Sequence, residues 1–183
     1  MIDYPELADF LLVAEAVLQT PAKKIAEEAN LHLADSALHA PAAQFAGQDF
    51  YPAFATKAAV LCAHLIKNHP LKDGNVQVAL VATIEFCGRN NFVWSLPPDD
   101  DDGMVTASVL TDLAAAELND TTIENLARWI ADRIDESPPD PPPGRGRNSG
   151  LGGLARLLAI LKRRPVHGRA RRSNDWRAGV RAH

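Results

Sequence analysis

The eight residues at 68–75, Asn-His-Pro-Leu-Lys-Asp-Gly-Asn, constrain the fold more than any other stretch of this chain. The residues before this stretch include an apolar pattern at helical spacing: Phe54, Ala58, Leu61 and Leu65. The residues after it follow the same kind of pattern: Val76, Ala79, Leu80, Thr83 and Phe86. Between the two, Pro70 disfavours helix in the residue before it, and residues 73–75 form a turn signal. The sequence therefore predicts helices over 53–68 and 75–88, joined by a tight loop.

The residue types in this loop suit phosphate chemistry. His69 is a candidate general base because an imidazole titrates near neutrality, although a histidine that only caps the helix is the alternative. Asp73 is a candidate Mg²⁺ ligand, since Mg²⁺ prefers oxygen donors. Gly74 allows close backbone approach, and Asn75 with the N–H groups of the following helix would bind an anion. Lys72 is the one cation in the loop.

The loop also carries a family resemblance. Residues 69–75 read HPLKDGN and resemble the signature of the Fic/Doc (Fido) family, which in the Doc branch reads HPFxDGNKRTA. Upstream, residues 45–52 (FAGQDFYP) and 57–59 (KAA) resemble the Doc sequence that precedes this motif. Downstream, residues 123–134 resemble the closing helix of the family. The resemblance covers roughly residues 1–135 and implies an all-α helical bundle, with the motif loop between its two central helices.

The chain departs from the Doc signature at four positions. Leu71, Val76, Gln77 and Val78 stand where the family has Phe, Lys, Arg and Thr. In the family the Lys and Arg hold nucleotide phosphates, whereas Gln77 can donate only a neutral hydrogen bond. Because one charge-assisted hydrogen bond contributes roughly 1.5–3 kcal/mol, the loss of both weakens phosphate binding by several kcal/mol.

The resemblance implies a Doc-like toxin with ATP and Mg²⁺ as its cofactors. Such a protein transfers phosphate or AMP to a Ser or Thr hydroxyl of a cellular protein, for example a translation factor. Relatives that inhibit themselves carry a Ser/Thr-x-x-x-Glu helix, and no Ser or Thr of this chain has Glu four positions later. The implied partner is therefore a separate, Phd-like antitoxin. The alternative is a catalytically inactive Fido scaffold, or a decayed toxin, that only binds its antitoxin.

The other predicted elements complete a helical domain over 1–136. Further helices are predicted over 5–18, 22–32, 35–40, about 105–113 and 123–134, with capping boxes at Asp3–Glu6 and Thr121–Glu124. Residues 92–94 favour a short extended segment, and residues 46–52 a loop. The aromatic residues around that loop either lie near the substrate side or anchor it to the core: Phe45, Phe50 and Tyr51. The acidic run 99–102 lacks the spacing of a calcium loop, so we expect a solvated loop that caps the next helix.

The charge distribution marks a boundary after residue 136. Residues 1–136 carry 8 Lys/Arg and 21 Asp/Glu, whereas residues 137–183 carry 11 and 2, giving net charges of −13 and +9. Residues 137–153 are predicted to be a flexible Pro/Gly-rich linker. Residues 154–183 form a basic tail, and apolar residues from Leu151 to Leu161 predict one short amphipathic helix. The tail could bind nucleic acid, an acidic surface or the chain's own acidic domain, or be an unselected extension.

The sequence also favours a cytoplasmic protein that does not enter a membrane. No apolar run approaches 18 residues, and the first residues lack the basic and apolar regions of a signal peptide. Cys62 and Cys87 are the only cysteines, and both lie within predicted helices. We therefore expect core thiols in a reducing compartment.

Overall fold

The computed structural model describes residues 1–97, 100 and 103–136, and these residues are mainly helical. Seven α-helices follow one another: α1 (Leu7–Leu18), α2 (Ala22–Glu28), α3 (Leu31–His39), α4 (Phe54–Asn68), α5 (Asn75–Arg89), α6 (Met104–Ala115) and α7 (Asp120–Ala131). A 3₁₀ turn spans Ala40–Ala42, and the short strands are β1 (Gln44–Phe45), β2 (Gln48–Asp49), β3 (Phe92–Trp94) and β4 (Ile134–Glu136). The predicted linker at 137–153 and the predicted tail at 154–183 lie outside the described residues.

The centre of the domain is helix α4. It packs against α3, α5, α6 and α7, and it buries nine side chains, as many as its neighbour α5. The two helices that flank the loop at 69–74 are therefore the most buried pair, and the predicted all-α bundle is confirmed. None of the helices in the described part of the chain combines the length and apolarity needed to cross a bilayer.

The first three helices differ from the prediction at their ends. Helix α1 begins at Leu7, and its capping box joins Glu6 and Asp9 rather than Asp3 and Glu6. The helix predicted over 22–32 is instead divided, because the side chain of Asn30 accepts a hydrogen bond from the Leu33 N–H group (3.2 Å) and starts α3. A polar side chain that caps a new helix thus outweighs the continuous helical pattern.

The last helix begins and ends three residues earlier than predicted. Its N-cap is Asn119, whose side chain accepts from the Thr122 N–H group, so the predicted Thr121 box is wrong. The helix ends at Ala131, and Ile134 lies in β4, where it pairs with Trp94 of the antiparallel strand β3. Residues 92–94 are thus extended as predicted, and their pairing with β4 ends the helix before Ile134.

The segment predicted to be a loop at 46–52 contains part of a β-hairpin. Strands β1 and β2 pair in antiparallel fashion, and the turn between them uses Ala46 (φ 51°) and Gly47 (φ 80°). Two positive φ values match the two-residue turn that is common in hairpins. Phe45 and Phe50 are 73% and 60% exposed, so the interpretation as core anchors is wrong for both, while Tyr51 is half-buried.

Asp100 caps helix α6 from a buried position. Its carboxylate accepts hydrogen bonds from the Val105 and Thr106 N–H groups (2.8 and 2.9 Å) and lies 3.9 Å from the Arg133 guanidinium. The predicted capping role is confirmed for this residue, whereas its predicted solvation is wrong. A buried carboxylate needs such partners because its desolvation is costly.

Both cysteines are core thiols, as predicted. Cys62 and Cys87 are buried on α4 and α5, and neither forms a disulfide. Burial raises the pKa of each thiol to about 12, so both are protonated at neutral pH.

Candidate active site in the loop between α4 and α5

His69 lies at the end of α4, where its side chain is accessible to solvent. It is the C-cap residue, in the left-handed conformation (φ 47°, ψ 55°), and its side chain is exposed. Its ring has no hydrogen-bond partner among the residues that the structure describes. Non-glycine residues with positive φ are uncommon and occur often at functional sites, so this conformation is consistent with a role beyond capping.

The backbone on both sides of His69 is fixed to α3. The Asn30 N–H group donates to the Pro70 carbonyl (2.8 Å), and the Asn68 side-chain amide donates to the Leu33 carbonyl (3.1 Å). Pro70 is itself buried. The exposed imidazole therefore projects from a backbone that is held on its two sides.

The second half of the loop is closed by Asn75. Its side chain is buried, accepts from the Leu71 N–H group (2.9 Å) and donates to the Leu71 carbonyl (2.8 Å). The amide thus fixes the four-residue span that contains Lys72 and Asp73. Any contact of Asn75 with an anion would therefore come most directly from its backbone N–H group.

Asp73 and Gly74 form the entrance to α5. The exposed carboxylate of Asp73 accepts from the Gly74 N–H group (2.8 Å). Gly74 has φ +75°, and a Cβ atom there would overlap the Leu18 side chain of α1. The backbone conformation thus favours glycine at this position, and a Cβ atom would also require the Leu18 side chain to move.

The first turn of α5 offers donors for an anion. The first hydrogen bond of the helix runs from the Val78 N–H group to the Gly74 carbonyl (2.9 Å), so the N–H groups of residues 75–77 have no acceptor within the helix. These groups also lie at the positive end of the dipole of a 15-residue helix. Such a helix start is suited to a phosphate group.

The cation of the loop is engaged elsewhere in the fold. The Lys72 ammonium lies 3.2 Å from a carboxylate oxygen of Glu28, at the end of α2, and both side chains are largely exposed. An exposed pair of this kind is weak and can open. Lys72 could thus turn toward an anion at the start of α5 at small cost.

The four departures from the Doc signature fall into two groups. Leu71 and Val78 are buried and contribute to the packing of the hydrophobic core. Val76 is half-buried and packs partly against this core, and Gln77 is half-buried as well. Only the second group lies in the turn where donors to a phosphate are needed, and neither side chain supplies a positive charge.

A magnesium nucleotide fits the donors that are present. The described residues contain no cluster of three or more His, Cys, Asp or Glu side chains that could enclose a metal ion. Mg²⁺, however, is commonly held by one or two carboxylates together with substrate phosphates. The exposed Asp73 carboxylate beside the α5 N–H groups meets that requirement.

The structure thus brings all predicted site residues into one short loop and helix start. His69, Lys72 and Asp73 are exposed there, Gly74, Asn75 and Gln77 follow directly, and no two of them are separated by another element. Glu28 and Asn30 were missed by sequence reasoning. Both lie about forty residues before the motif, and only the N-cap propensity of Asn30 could have identified one of them.

Comparison with known proteins gives a family match that includes this loop. The model of the Fic/DOC family matches residues 7–87, which include α1, the loop and nearly all of α5. No curated protein and no solved structure is significantly similar to the chain. The family match includes both helices that flank His69 and the complete loop between them. Residues 7–87 are therefore similar to the Fic/DOC family.

Proposed function

We propose that this chain is a Doc-like toxin that transfers phosphate or AMP from ATP to a Ser or Thr hydroxyl of a cellular protein, such as a translation factor. The Fic/DOC family itself suggests a transfer reaction of this general type. The observation that supports the proposal best is the exposed His69 imidazole, on a fixed backbone, within the same loop as the open N-terminus of α5.

Each residue of the loop has a role in this proposal. His69 accepts the proton of the attacking hydroxyl, because its ring is exposed and makes no competing hydrogen bond within the described part of the chain. The Asp73 carboxylate holds Mg²⁺, which, when bound with ATP, neutralises phosphate charge. Gly74, the N–H groups of Asn75 and Gln77, and the Lys72 ammonium hold the phosphates.

The proposed rate is lower than that of a chain with the full signature. A positive side chain that stabilises transition-state charge in phosphoryl transfer is worth about 10³–10⁵ in rate. Here Val76 contributes packing and Gln77 a neutral amide, so only Lys72 and the helix dipole supply positive charge. The chemistry is therefore retained in kind and weakened in rate.

The proposed partner is a Phd-like antitoxin in the cytoplasm. The net charge of −13 over residues 1–136 favours a partner segment that is basic, since complementary charge speeds association. A disordered segment that folds on the domain would bind in this way.

One observation supports a second candidate, an inactive Fido scaffold that only binds its antitoxin. Val76 packs partly against the core, and Lys72 is paired with Glu28, so neither side chain directs a cation to the start of α5. In that case the fold is kept for binding, and the loop carries no reaction.

Labelled ATP separates the two candidates. Cell lysate is incubated with the protein, Mg²⁺ and ATP labelled at either the α or the γ phosphate. Label from the γ position marks phosphate transfer, and label from the α position marks AMP transfer. Both should disappear in His69→Ala, while the control His32→Ala, at an exposed position of α3, should label as the wild type does.

The outcome distinguishes an enzyme from a scaffold directly. Labelling that depends on His69 supports the transferase. If the protein labels nothing but still binds a basic antitoxin segment, the result supports the scaffold. Labelling that persists in His69→Ala would contradict the assignment of His69 as the base.

A further inference from the structure

Lys57 is a buried lysine on helix α4, with 2% of its surface exposed. Its ammonium group donates to the Asp49 carboxylate (2.8 Å) and to the Pro41 carbonyl (3.2 Å), and lies 5.7 Å from the centre of the Tyr4 ring. Burial acts to lower the pKa of Lys57, but the hydrogen bonds with Asp49 and Tyr4 outweigh it, so the pKa is raised. Lys57 is therefore charged at neutral pH.

A buried charge of this kind calls for a reason other than stability. Replacing a buried ion pair by apolar residues of similar size is often neutral or stabilising, so the pair adds little to stability by itself. What it does provide is a fixed geometry, because an ammonium group must face its acceptors. The acceptors of Lys57 therefore show which parts of the fold it positions.

Those acceptors are the β1–β2 hairpin and the 3₁₀ turn before it. Asp49, on β2, also accepts from the side chain of Gln44, its partner on β1 (2.6 Å), so one ammonium group restrains both strands. The Pro41 carbonyl belongs to the turn that leads into β1. The Phe50 N–H group closes the hairpin by donating to the Ala43 carbonyl (3.0 Å).

The hairpin has few other means of holding its position. Each strand has two residues, and all four are exposed. A two-stranded hairpin of this size is at best marginally stable by itself. Its placement on the domain thus depends largely on the contact between Lys57 and Asp49.

The hairpin displays an exposed aromatic surface, which consists of Phe45 and Phe50. Their rings lie 6.5 Å apart, and the ring of the half-buried Tyr51 lies 6.4 Å from that of Phe50. Exposed aromatic side chains that lie together are typical of the centre of a protein interface. This surface therefore suits contact with a protein.

The separation along α4 between Lys57, which holds the hairpin, and His69 also suits a protein. Lys57 precedes His69 by twelve residues on the same helix, which corresponds to about 18 Å along the helix axis. A protein that covers roughly 800 Å² of its partner can span such a distance. A substrate protein could therefore contact the aromatic surface while one of its hydroxyl groups reaches His69.

We propose that Lys57 is a positioning residue that locks the β1–β2 hairpin onto α4 and so presents Phe45 and Phe50 to the protein substrate at a fixed distance from His69. The positioning of the hairpin stands on the contacts of Lys57 alone. The part that concerns the substrate rests on the proposed function.

Hydrogen exchange tests the lock without requiring any activity. In Lys57→Met and in Asp49→Ala, the Phe50 amide should exchange roughly tenfold faster or more, because a charge-assisted hydrogen bond that holds the hairpin is lost. The control is Lys67→Met, on the same helix, whose wild-type ammonium donates to the carbonyls of Ala114 and Ala116 at the C-terminal end of α6. It should leave Phe50 exchange within about twofold of wild type.

Unchanged Phe50 exchange in the variants would overturn the lock. Should Lys57→Met fail to fold, Asp49→Ala decides the question, since Asp49 lies on the surface and the Lys57 ammonium keeps the Pro41 carbonyl as an acceptor. Faster exchange of the α4 and α5 amides together with Phe50 would mean that Lys57 supports the whole domain, and would also overturn a specific lock.

Transfer kinetics test the second part. Labelling is measured at fixed ATP–Mg²⁺ over a series of lysate concentrations. In Lys57→Met the half-saturating lysate concentration should rise about fivefold or more, with maximal labelling and ATP affinity within about twofold of wild type. An unchanged half-saturating concentration would overturn the substrate role. If the wild type labels nothing, the proposed function fails, and the exchange experiment still decides whether Lys57 locks the hairpin.

Discussion

Asn75 and Leu71 exchange two hydrogen bonds across the motif loop. The Leu71 N–H group donates to the Asn75 side-chain oxygen (2.9 Å), and the Asn75 side-chain nitrogen donates to the Leu71 carbonyl (2.8 Å). Both partners are buried, so water cannot replace either bond. The shape of the loop that contains Asp73 therefore depends on one amide side chain.

The change Asn75→Ala should destabilise the domain. It leaves the N–H and carbonyl groups of Leu71 buried without these partners, and the free energy of unfolding should fall by about 1–3 kcal/mol. Denaturant unfolding measures this value. The control Gln77→Ala removes a half-buried amide two residues later and should change stability by about 0.5 kcal/mol or less. Equal losses in the two variants would contradict the bracing role of Asn75.

The change Gly74→Ala should also destabilise the domain, and Leu18 should modulate the effect. An Ala at φ +75° is strained by roughly 1–2 kcal/mol, and its Cβ atom would overlap the Leu18 side chain, which adds about 1–3 kcal/mol. In the double variant with Leu18→Ala, the overlap is relieved while the backbone strain remains. The double variant should thus lose less free energy of unfolding than the sum of the losses in the two single variants. A double-mutant cycle measures this difference. Additive losses would show that α1 does not restrict this position.

The helical core of the domain could be predicted from the sequence because its signals are local. The spacing of Ala58, Leu61 and Leu65 identifies α4, and the turn residues that follow identify the loop. The end of α7 could not be predicted, since Ile134 continues the helical pattern yet pairs with Trp94 forty residues earlier. Pairing between distant segments cannot be predicted from the spacing of apolar residues within either segment.

In the candidate site, too, the local features could be predicted from the sequence and the contacts between distant segments could not. His69, Asp73 and Gly74 were identified because they lie together in one motif. The contacts of Glu28 with Lys72 and of Lys57 with Asp49 depend on where separate elements pack, and neither could be read from the sequence. For Asn75, the sequence favoured an anion ligand, whereas the structure shows that its side chain also holds Leu71.

We expect Glu28 to compete with a bound phosphate for Lys72, with which it forms an ion pair. The change Glu28→Gln should raise the affinity for ATP–Mg²⁺ by up to about fivefold, because an exposed ion pair contributes roughly 0–1 kcal/mol. The gain should shrink as salt concentration rises, since salt screens the pair that is removed. Calorimetric titration measures both effects. The neighbouring change Glu27→Gln is the control, and an equal gain there would indicate a general charge effect instead.

Acid sensitivity should depend on Asp9. Hydrogen bonds from the Arg89 guanidinium and the Glu6 N–H group lower the pKa of this carboxyl below its ordinary value of 3.8. A depressed pKa stabilises the fold above the unfolded-state value, and this contribution is lost as the pH falls through the folded-state value. Asp9→Asn should therefore be less stable than the wild type at pH 6–8, and the difference should decrease as the pH falls through the folded-state pKa, which lies below 3.8.

Denaturant unfolding as a function of pH measures the contribution of Asp9. The control is Asp112→Asn, at an exposed position of α6. Its difference from the wild type should stay small and nearly constant over the same range of pH. A pH-independent difference for Asp9→Asn would show that the charge of Asp9 does not contribute to stability.

Restoring the two missing cations should restore phosphate binding. The double change Val76→Lys with Gln77→Arg places two positive charges in the first turn of α5, near the positive end of the helix dipole, at a cost of about 0.3–1 kcal/mol each. Val76→Lys also loses part of its packing against the core, although a half-buried lysine can keep its stem there and extend its ammonium into water. With ATP–Mg²⁺ bound, two charge-assisted hydrogen bonds of roughly 1.5–3 kcal/mol each should outweigh both costs. We therefore expect tighter ATP–Mg²⁺ binding by calorimetry, together with stronger labelling of lysate proteins that disappears when His69→Ala is added. A double variant that folds normally but binds ATP no better than the wild type would show that the start of α5 is not a phosphate site.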